Sequence, residues 1–554
     1  MAHFMNFVLE RLRRHTSSPI LRPFAGDASI YKWGLVTYHG FTEALERATA
    51  HWSERLTSEG LKQGDVVGMW LKGSHWTDLI HIYAVSAAGY IPEVFGLAFS
   101  AAFVRDLLHS HRAHILIYHD TFSALLPHVD WQQTTVPLPK FAELSATNAG
   151  IAFLPDVKED DVAMILHTSG TTGGRPKPVP QTHKWLVAEG EVTWKGVIQR
   201  HPQGQHIINN IGSFSSIGGA SCITFLSWSG GCLTQSAGRE ITADEILAMV
   251  QQCGLNFLLQ YAPWLAKLFE VARQRSEVLE ALRGMCQIAY TGASLSPADE
   301  RWALEQGIPL TPMYANTECG PLMVARLDSG EPYLRPISEV KCELLPLDTE
   351  NGSNATKGAL QLHEFFVSAE SATCPHHTVR NRPDGHVTGD LFEEVKPDCY
   401  VFRESVLCSS GDSHVANHFT AGGRSDDWIR TGGNPAFCDT KAIEENVLKT
   451  CSDMVHNCVV VGHQRICPVL LVEPEPSVDV STPQEESRIK QKIIERTAPF
   501  NERVFPHEQI TKSECILIVP TGSLPRTTEK GNVRRKAAEE QFRDAVEKVY
   551  LSLA

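Results

Sequence analysis

The chain has no long hydrophobic run. Nothing in its 554 residues approaches the ~20 consecutive apolar positions that a membrane-crossing helix needs. Its 14 cysteines include no C-x-x-C pair, so the spacing of a zinc or dithiol site is missing and reduced thiols are expected rather than a disulfide framework. Positive charge is scarce as well: the formal charge of -14 disfavours nucleic acid or an anionic membrane as a general partner. The opening residues, MAHFMNFVLERLRRHTSS, mix charge into their apolar face and lack the core and cleavage site of a secretory signal. The closing residues, YLSLA, do not match the Ser-Lys-Leu type of peroxisomal address. No repeat period or long low-complexity tract is visible. What is left is a folded chain, 42% apolar and 21% charged, expected in the cytoplasm with no membrane span and no nucleic-acid partner.

What is present has a rhythm. FTEALERATAHWSERLTSEG has helical spacing and stops at Gly60, DVVGMWL reads as a strand, WTDLIHIYAVSAAG as a helix and AHILIYH as a buried strand. The segments VAMILHTSG, NFLLQYA and CQIAYTG continue the alternation, which predicts an α/β fold with parallel-rich sheets covered by helices. Residues 347–357 turn polar and small, as an exposed loop does, and the glycosylation matches at Asn351 and Asn354 are expected to be idle. After GGRSDDWIRTGGN the style changes to a shorter, charge-rich alternation. The expected organisation is a large N-terminal domain over 1–423, a hinge at 424–427 and a small, mobile α+β C-terminal domain over 428–554.

The densest chemistry lies in HTSGTTGGRPKPVPQTH, residues 167–183, where four hydroxyl residues and three glycines fill positions 168–174. Glycine N–H groups can approach phosphate oxygens closely, Thr168, Ser169, Thr171 and Thr172 add hydroxyl donors, and Arg175 and Lys177 add charge. No G-K-[ST] closes the run, so it is not a Walker A loop. A plain surface turn is the alternative; the strand before it and the cations after it favour phosphate.

Other segments extend the pattern, in order: AYTGASLSP, MYANTECG, DGHVTGDLFEEV, GGRSDDWIRTGGN and LPRTTEKGNVRRK. Together with the glycine loop they resemble the adenylate-forming (AMP-binding) superfamily of acyl-CoA synthetases, nonribosomal peptide synthetase adenylation domains and luciferases. The likeness covers residues from about 40 to 540 and is nearest in feel to stand-alone fungal-type acyl-CoA synthetase-like enzymes. It implies roles position by position. Thr168, Ser169, Gly170, Thr171, Thr172, Gly173 and Lys177 would cradle the β- and γ-phosphates of ATP. Gly292, Ala293 and Ser294 would lie along the adenine, with Tyr314 stacked on it and Ala315 and Asn316 beside it. Thr317 would bond a phosphate oxygen and Glu318 would ligate Mg²⁺. Asp390 and Arg424 would hold the ribose, Asp426 would be the hinge, and Lys530 would reach the forming acyl-adenylate. Lysine precedes glycine in EKGNVRR, where many members read G-K.

The departures bear on the substrate. Ala315 stands for the usual glycine, Pro178 follows the loop lysine, and Ser216 replaces an aromatic or histidine of coenzyme A ligases. The stretch NNIGSFSSIGGAS holds neither an aspartate for an α-ammonium nor a cation for a second carboxylate, so an apolar or aromatic monocarboxylate is expected. Phe214, Ser216, Gly219, Met313 and Leu322 are the acyl-pocket candidates, each equally at home in a core. The segment Glu404 to Gly422 separates YVFR from GRSDD where relatives run almost directly on; it reads as a surface loop or as a translated in-frame intron.

The implied activity is an AMP-forming acid–thiol ligase. ATP and Mg²⁺ activate a small-molecule carboxylic acid, and coenzyme A accepts the acyl group. The alternatives are a stand-alone adenylation module serving a carrier protein or an amine, and a non-catalytic nucleotide-binding relative. The chain reaches about 20 residues past the lysine loop with no serine-centred carrier motif, which favours coenzyme A.

Overall fold

A computed structural model describes residues 3–27, 30–97, 99–144, 151, 154–168, 177–210, 212–238, 241–292, 295–346, 362–405, 428–431, 436–463, 465–501, 509–526 and 533–553. The early helix spans Tyr38–Ser58, capped where the Thr37 hydroxyl accepts from the Gly40 N–H at 3.1 Å. Phe41, Leu45, Ala48, Trp52 and Leu56 recur on its buried face, each large apolar side chain contributing about 2 kcal/mol by leaving water. Gly60, at φ +82, takes the left-handed conformation that ends the segment.

Two sheets carry the large domain. The first has six strands in the order Thr134–Pro137, Ile115–Tyr118, Val66–Trp70, Ile91–Phe95, Val162–His167 and Pro178–Thr182. Its first five are parallel and its last is antiparallel. The expected turn from strand into helix is therefore a hairpin: after the glycine run the chain returns as Pro178–Thr182 before its helix begins. Two prolines are tolerated there because the strand lies at the sheet edge.

The second sheet has thirteen strands and two characters. Between Pro19–Arg22 and Leu310–Asn316 it is parallel, with Ile207–Asn209, Phe257–Tyr261 and Gln287–Thr291 among its members. Beyond Leu310–Asn316 it becomes an antiparallel meander through Gly320–Ala325, Leu334–Pro336, Cys399–Ser405, Gly385–Lys396, Leu362–Ser368 and Cys342–Pro346. The parallel expectation thus holds for the first sheet and for one half of the second, whose other half is paired antiparallel. Leu310–Asn316 is the switch strand.

A smaller C-terminal α+β domain has its own sheet of Val455–Val461, Val469–Pro474 and Ile516–Ile518. The helices Thr440–Thr450, Pro483–Asn501, Arg535–Gln541 and Arg543–Leu553 accompany it, with two apolar clusters of its own. Among the described residues no helix is long and apolar enough to cross a membrane.

Candidate active site

Open α/β sheets bind ligands beyond the carboxyl ends of their parallel strands, where the topology switches. The candidate residues fall at those ends. Thr168 follows Val162–His167, Gly292 follows Gln287–Thr291, and Thr317 and Glu318 follow the switch strand. Gly292 is at φ +83, a conformation that favours glycine.

The base of the glycine loop is closed by two hydrogen bonds. The Thr168 N–H donates to the Lys177 carbonyl at 3.0 Å, and the Lys177 N–H donates to the Thr168 hydroxyl at 3.1 Å. Four residues further on, buried Gln181 reaches the other sheet, its amide donating to the Thr317 carbonyl at 2.8 Å. This tie between loop and hairpin was not foreseen from the motifs, although Gln181 stands inside the quoted segment.

Thr317, Glu318 and Cys319 form the turn between the switch strand and Gly320–Ala325. Asn316 closes it by accepting from the Cys319 N–H at 2.7 Å. Burial pushes the Glu318 carboxyl above its ordinary value, with the Lys177 ammonium pulling it back, so the two share one electrostatic neighbourhood. Among the described residues no group of three or more His, Cys, Asp or Glu could hold a metal alone. A single desolvated carboxylate fits Mg²⁺ that takes most of its oxygens from phosphate.

Tyr314 is buried and its hydroxyl donates to the Asp390 carboxylate. Phe392 meets the tyrosine ring edge-on at 4.9 Å, and Phe402 stacks at 5.9 Å. Burial first, then the Asp390 charge, pushes the phenol far up, so it remains a donor. The expected adenine-side and ribose-side residues are therefore direct neighbours.

On the acyl side, Phe214 is buried and its N–H donates to the Gly73 carbonyl at 2.9 Å. Ser216 begins the short helix Ile217–Ala220 and turns its hydroxyl back to the Ser213 carbonyl at 2.6 Å. A Cβ at Gly219 would stand 2.2 Å from that same carbonyl, so only glycine lets the turn close. Met313 and Leu322 lie on the paired strands of the hairpin, both buried. The pairing slips between Tyr314 and Ala315, leaving Leu322 without a cross-strand partner, as a β-bulge does when it re-aims a side chain.

Two buried carboxylates were missed. Glu93 Oε1 accepts from His111 Nδ1 at 2.9 Å and from His167 Nε2 at 3.2 Å, while His167 Nδ1 donates to the Val94 carbonyl at 3.0 Å. His167 thus links the Glu93 carboxylate and the Val94 carbonyl directly before Thr168. The second is Glu189, in a π-helical turn at Glu189–Trp194 that continues the helix His183–Ala188. Neither belongs to a quoted motif role; a charged residue inside an apolar strand or helix was the signal available.

Ser169, Gly170, Thr171, Thr172, Gly173, Arg175, Ala293, Ser294, Arg424, Asp426 and Lys530 lie outside the described residues, as do Asn351, Asn354 and most of the segment ending at Gly422.

Comparison with known proteins bears on the family and the fold. The family described as AMP-binding enzyme matches residues 23–359, and the one described as AMP-binding enzyme C-terminal domain matches 438–554. The AMP-binding domain-containing enzyme iboA of Amanita muscaria (strain Koide BX008) is 30% identical over 525 residues, covering 92% of this chain and 94% of its own. The adenylate-forming reductase stbB of Stachybotrys bisbyi is 24% identical over 86% of this chain, which spans 42% of the reductase. The crystal structure of the anthranilate CoA ligase AuaEII with anthranoyl-AMP superposes with a TM-score of 0.69 at 16% identity, covering 99% of this chain and 97% of that one.

Proposed function

The chain belongs to the AMP-binding enzyme family, and we propose that it activates a carboxylic acid as its acyl-adenylate and then passes the acyl group to coenzyme A. One observation carries the reading: Gln181 ties the closed base of the glycine loop to the Thr317–Glu318 turn, so groups suited to phosphate and to a divalent cation converge at the switch strand. In the first step a carboxylate oxygen attacks the α-phosphorus of ATP; the new P–O bond forms as the bond to the β-phosphate oxygen breaks, and pyrophosphate leaves with the electron pair. The chain's contribution is positioning and charge neutralisation. Thr168 to Lys177 bind the pyrophosphate end, and Thr317 bonds a phosphate oxygen. Glu318 would hold Mg²⁺, which screens the phosphate charge when bound. Gly292, Ala293 and Ser294 flank the adenine, Tyr314 stacks on it, and Asp390 and Arg424 hold the ribose. Lys530 reaches the reacting carboxylate, and Asp426 is the pivot about which the C-terminal domain turns between half-reactions. In the second step a thiolate attacks the acyl carbon, the C–O bond to AMP breaks, and AMP departs. The large domain is read as 1–423 and the small one as 428–554, in the cytoplasm.

A carrier-protein or amine acceptor is the second reading, favoured by the match of this chain to 42% of a longer adenylate-forming reductase. Carboxylate-dependent ATP–pyrophosphate exchange over aryl, medium-chain and amino acids tests activation, and thioester formation with added coenzyme A tests the acceptor. Exchange with one acid class is expected. Nucleotide binding without exchange by any acid would instead identify a non-catalytic relative.

A further inference from the structure

Glu189 is 4% exposed and packed between Ser221 and Gly320, which lie beside the acyl-pocket candidates Gly219 and Leu322. Its Oε1 accepts from the Trp194 indole N–H at 3.1 Å and lies 3.4 Å from the Ser221 hydroxyl, which also reaches the Ile217 carbonyl at 2.7 Å; its Oε2 lies 3.2 Å from the Thr193 hydroxyl, which also reaches the Glu189 carbonyl at 2.8 Å. Ser221 directly follows Gly219 and Ala220. On the opposite side is Gly320, at φ +73, where a Cβ would stand 2.7 Å from Glu189 Oε2. Gly320 opens the strand that carries Leu322. The carboxylate therefore sits between the helix bearing Gly219 and the strand bearing Leu322, held in a π-helical turn of the kind often found at functional positions.

Its partners are all neutral: an indole and two hydroxyls, with no ion pair to Glu189 among the described residues. A carboxylate offers about four acceptor positions, and buried charges are normally paired. The stretch NNIGSFSSIGGAS holds no acid of its own, and Glu189 reaches its last residue, Ser221, from a different element.

We infer that Glu189 is a specificity-determining residue of the acyl site and selects a carboxylic acid that also carries an amino group. The inference rests on the acid-activation reading above. An aliphatic ammonium or an aryl amine supplies the same N–H donor chemistry, and the test separates them. Burial holds the Glu189 carboxyl up at about 7, against the pull of Trp194, Thr193 and Ser221, so an ammonium ligand would favour the ionised form. On the elements packed against it, Tyr83, Cys222 and Cys319 are pushed up by burial and stay protonated near neutrality.

The experiment is ATP–pyrophosphate exchange by the full chain with matched acid pairs: hexanoate against ω-aminohexanoate, an aliphatic α-amino acid against its des-amino analogue, and benzoate against ortho- and para-aminobenzoate. In at least one pair the amino member is expected to have the higher kcat/KM, on the order of a hundredfold. If that member is aliphatic, its advantage grows as pH rises through about 7; an aryl amine's advantage lacks this ammonium signature. Glu189→Gln should collapse the ratio while AMP binding, measured by calorimetry, is retained. Equal kcat/KM within every pair overturns the inference from the wild-type chain alone, and so does a ratio unchanged by Glu189→Gln in a variant that still binds AMP. Wild-type exchange absent with every acid removes the activation reading and this inference with it, an outcome distinct from equal exchange within pairs.

Discussion

Two buried glutamates of the large domain answer to opposite partners. Glu93, at 0% exposure beside the end of the strand that leads into the glycine loop, faces two imidazoles; burial raises its carboxyl, but the hydrogen bonds and charge of His111 and His167 outweigh burial and leave it below the ordinary value. Glu189, at 4%, faces only neutral donors, and burial pushes it up to about 7. Depth is nearly the same in the two places, so partners decide the charge. The first arrangement is complete within the chain and suits a fixed loop base. The second has only neutral partners, so its carboxyl stays protonated up to about 7 unless a positive charge arrives, which suits a pocket that chooses its substrate.

The largest expected effect comes from breaking the complete arrangement. Glu93→Ala leaves His111 and His167 without their shared acceptor and opens a void in a strand interior; a loss of about 3 kcal/mol in urea unfolding of the large domain is expected. Glu189→Gln keeps the shape, retains one acceptor oxygen and adds an amide donor, and should cost within about 1 kcal/mol. Equal costs would dissolve the distinction between the two sites.

The same contrast explains what the sequence made legible. Helix and strand periods announced the α/β core, and Tyr38–Ser58, Val66–Trp70 and Trp76–Ala87 stand where FTEALERATAHWSERLTSEG, DVVGMWL and WTDLIHIYAVSAAG indicated. The strand readings VAMILHTSG and CQIAYTG also put Thr168 and Gly292 at strand ends, as the structure has them, whereas MYANTECG gave no strand signal for Thr317. The antiparallel half of the large sheet and the edge strand Pro178–Thr182 escaped, since pairing partners are set at long range and prolines argue against a strand. Glu93, Glu189 and Gln181 escaped for a related reason: each acts through a contact more than 30 residues away in the chain, with His167, Ser221 and Thr317 respectively. The stretch NNIGSFSSIGGAS holds no acid, whereas Glu189 comes to it from another helical turn.

A smaller effect is expected at the contact that holds Glu189 against the hairpin. Gly320 has φ +73, and its Cβ position would be 2.7 Å from Glu189 Oε2 and 3.2 Å from Trp185 Cζ2. Gly320→Ala should cost about 2 kcal/mol from the left-handed conformation and the clash together, read as a lower urea midpoint. It should also shift the amino-to-des-amino preference in the exchange assay, because the carboxylate has to retreat. A destabilised variant with an unaltered preference would separate Glu189 from the acyl wall.

The gentlest probe is pH, and here the two glutamates should move in opposite directions. Glu93 has a lowered carboxyl, so its contribution is present above the ordinary carboxylate value and is lost as pH falls through the lower folded value. His111, raised by its hydrogen bond to Glu93, contributes below its ordinary value and loses that contribution as pH rises through its folded value. The stability gap between wild type and Glu93→Gln should therefore be widest between those limits and narrow on both sides. Glu189 is raised instead: its protonated form stabilises the fold at low pH, and that contribution declines between its ordinary 4.5 and about 7. Removing it with Glu189→Gln should make the variant gain on wild type as pH rises through that window, with a slope bounded by about 1.4 kcal/mol per pH unit for one proton. Urea midpoints at a series of pH values measure both curves. Parallel curves for the two variants would mean that their carboxylates share one electrostatic setting after all, whereas curves of opposite sign would show that the imidazoles beside Glu93 and the neutral partners beside Glu189 set the two carboxyls apart.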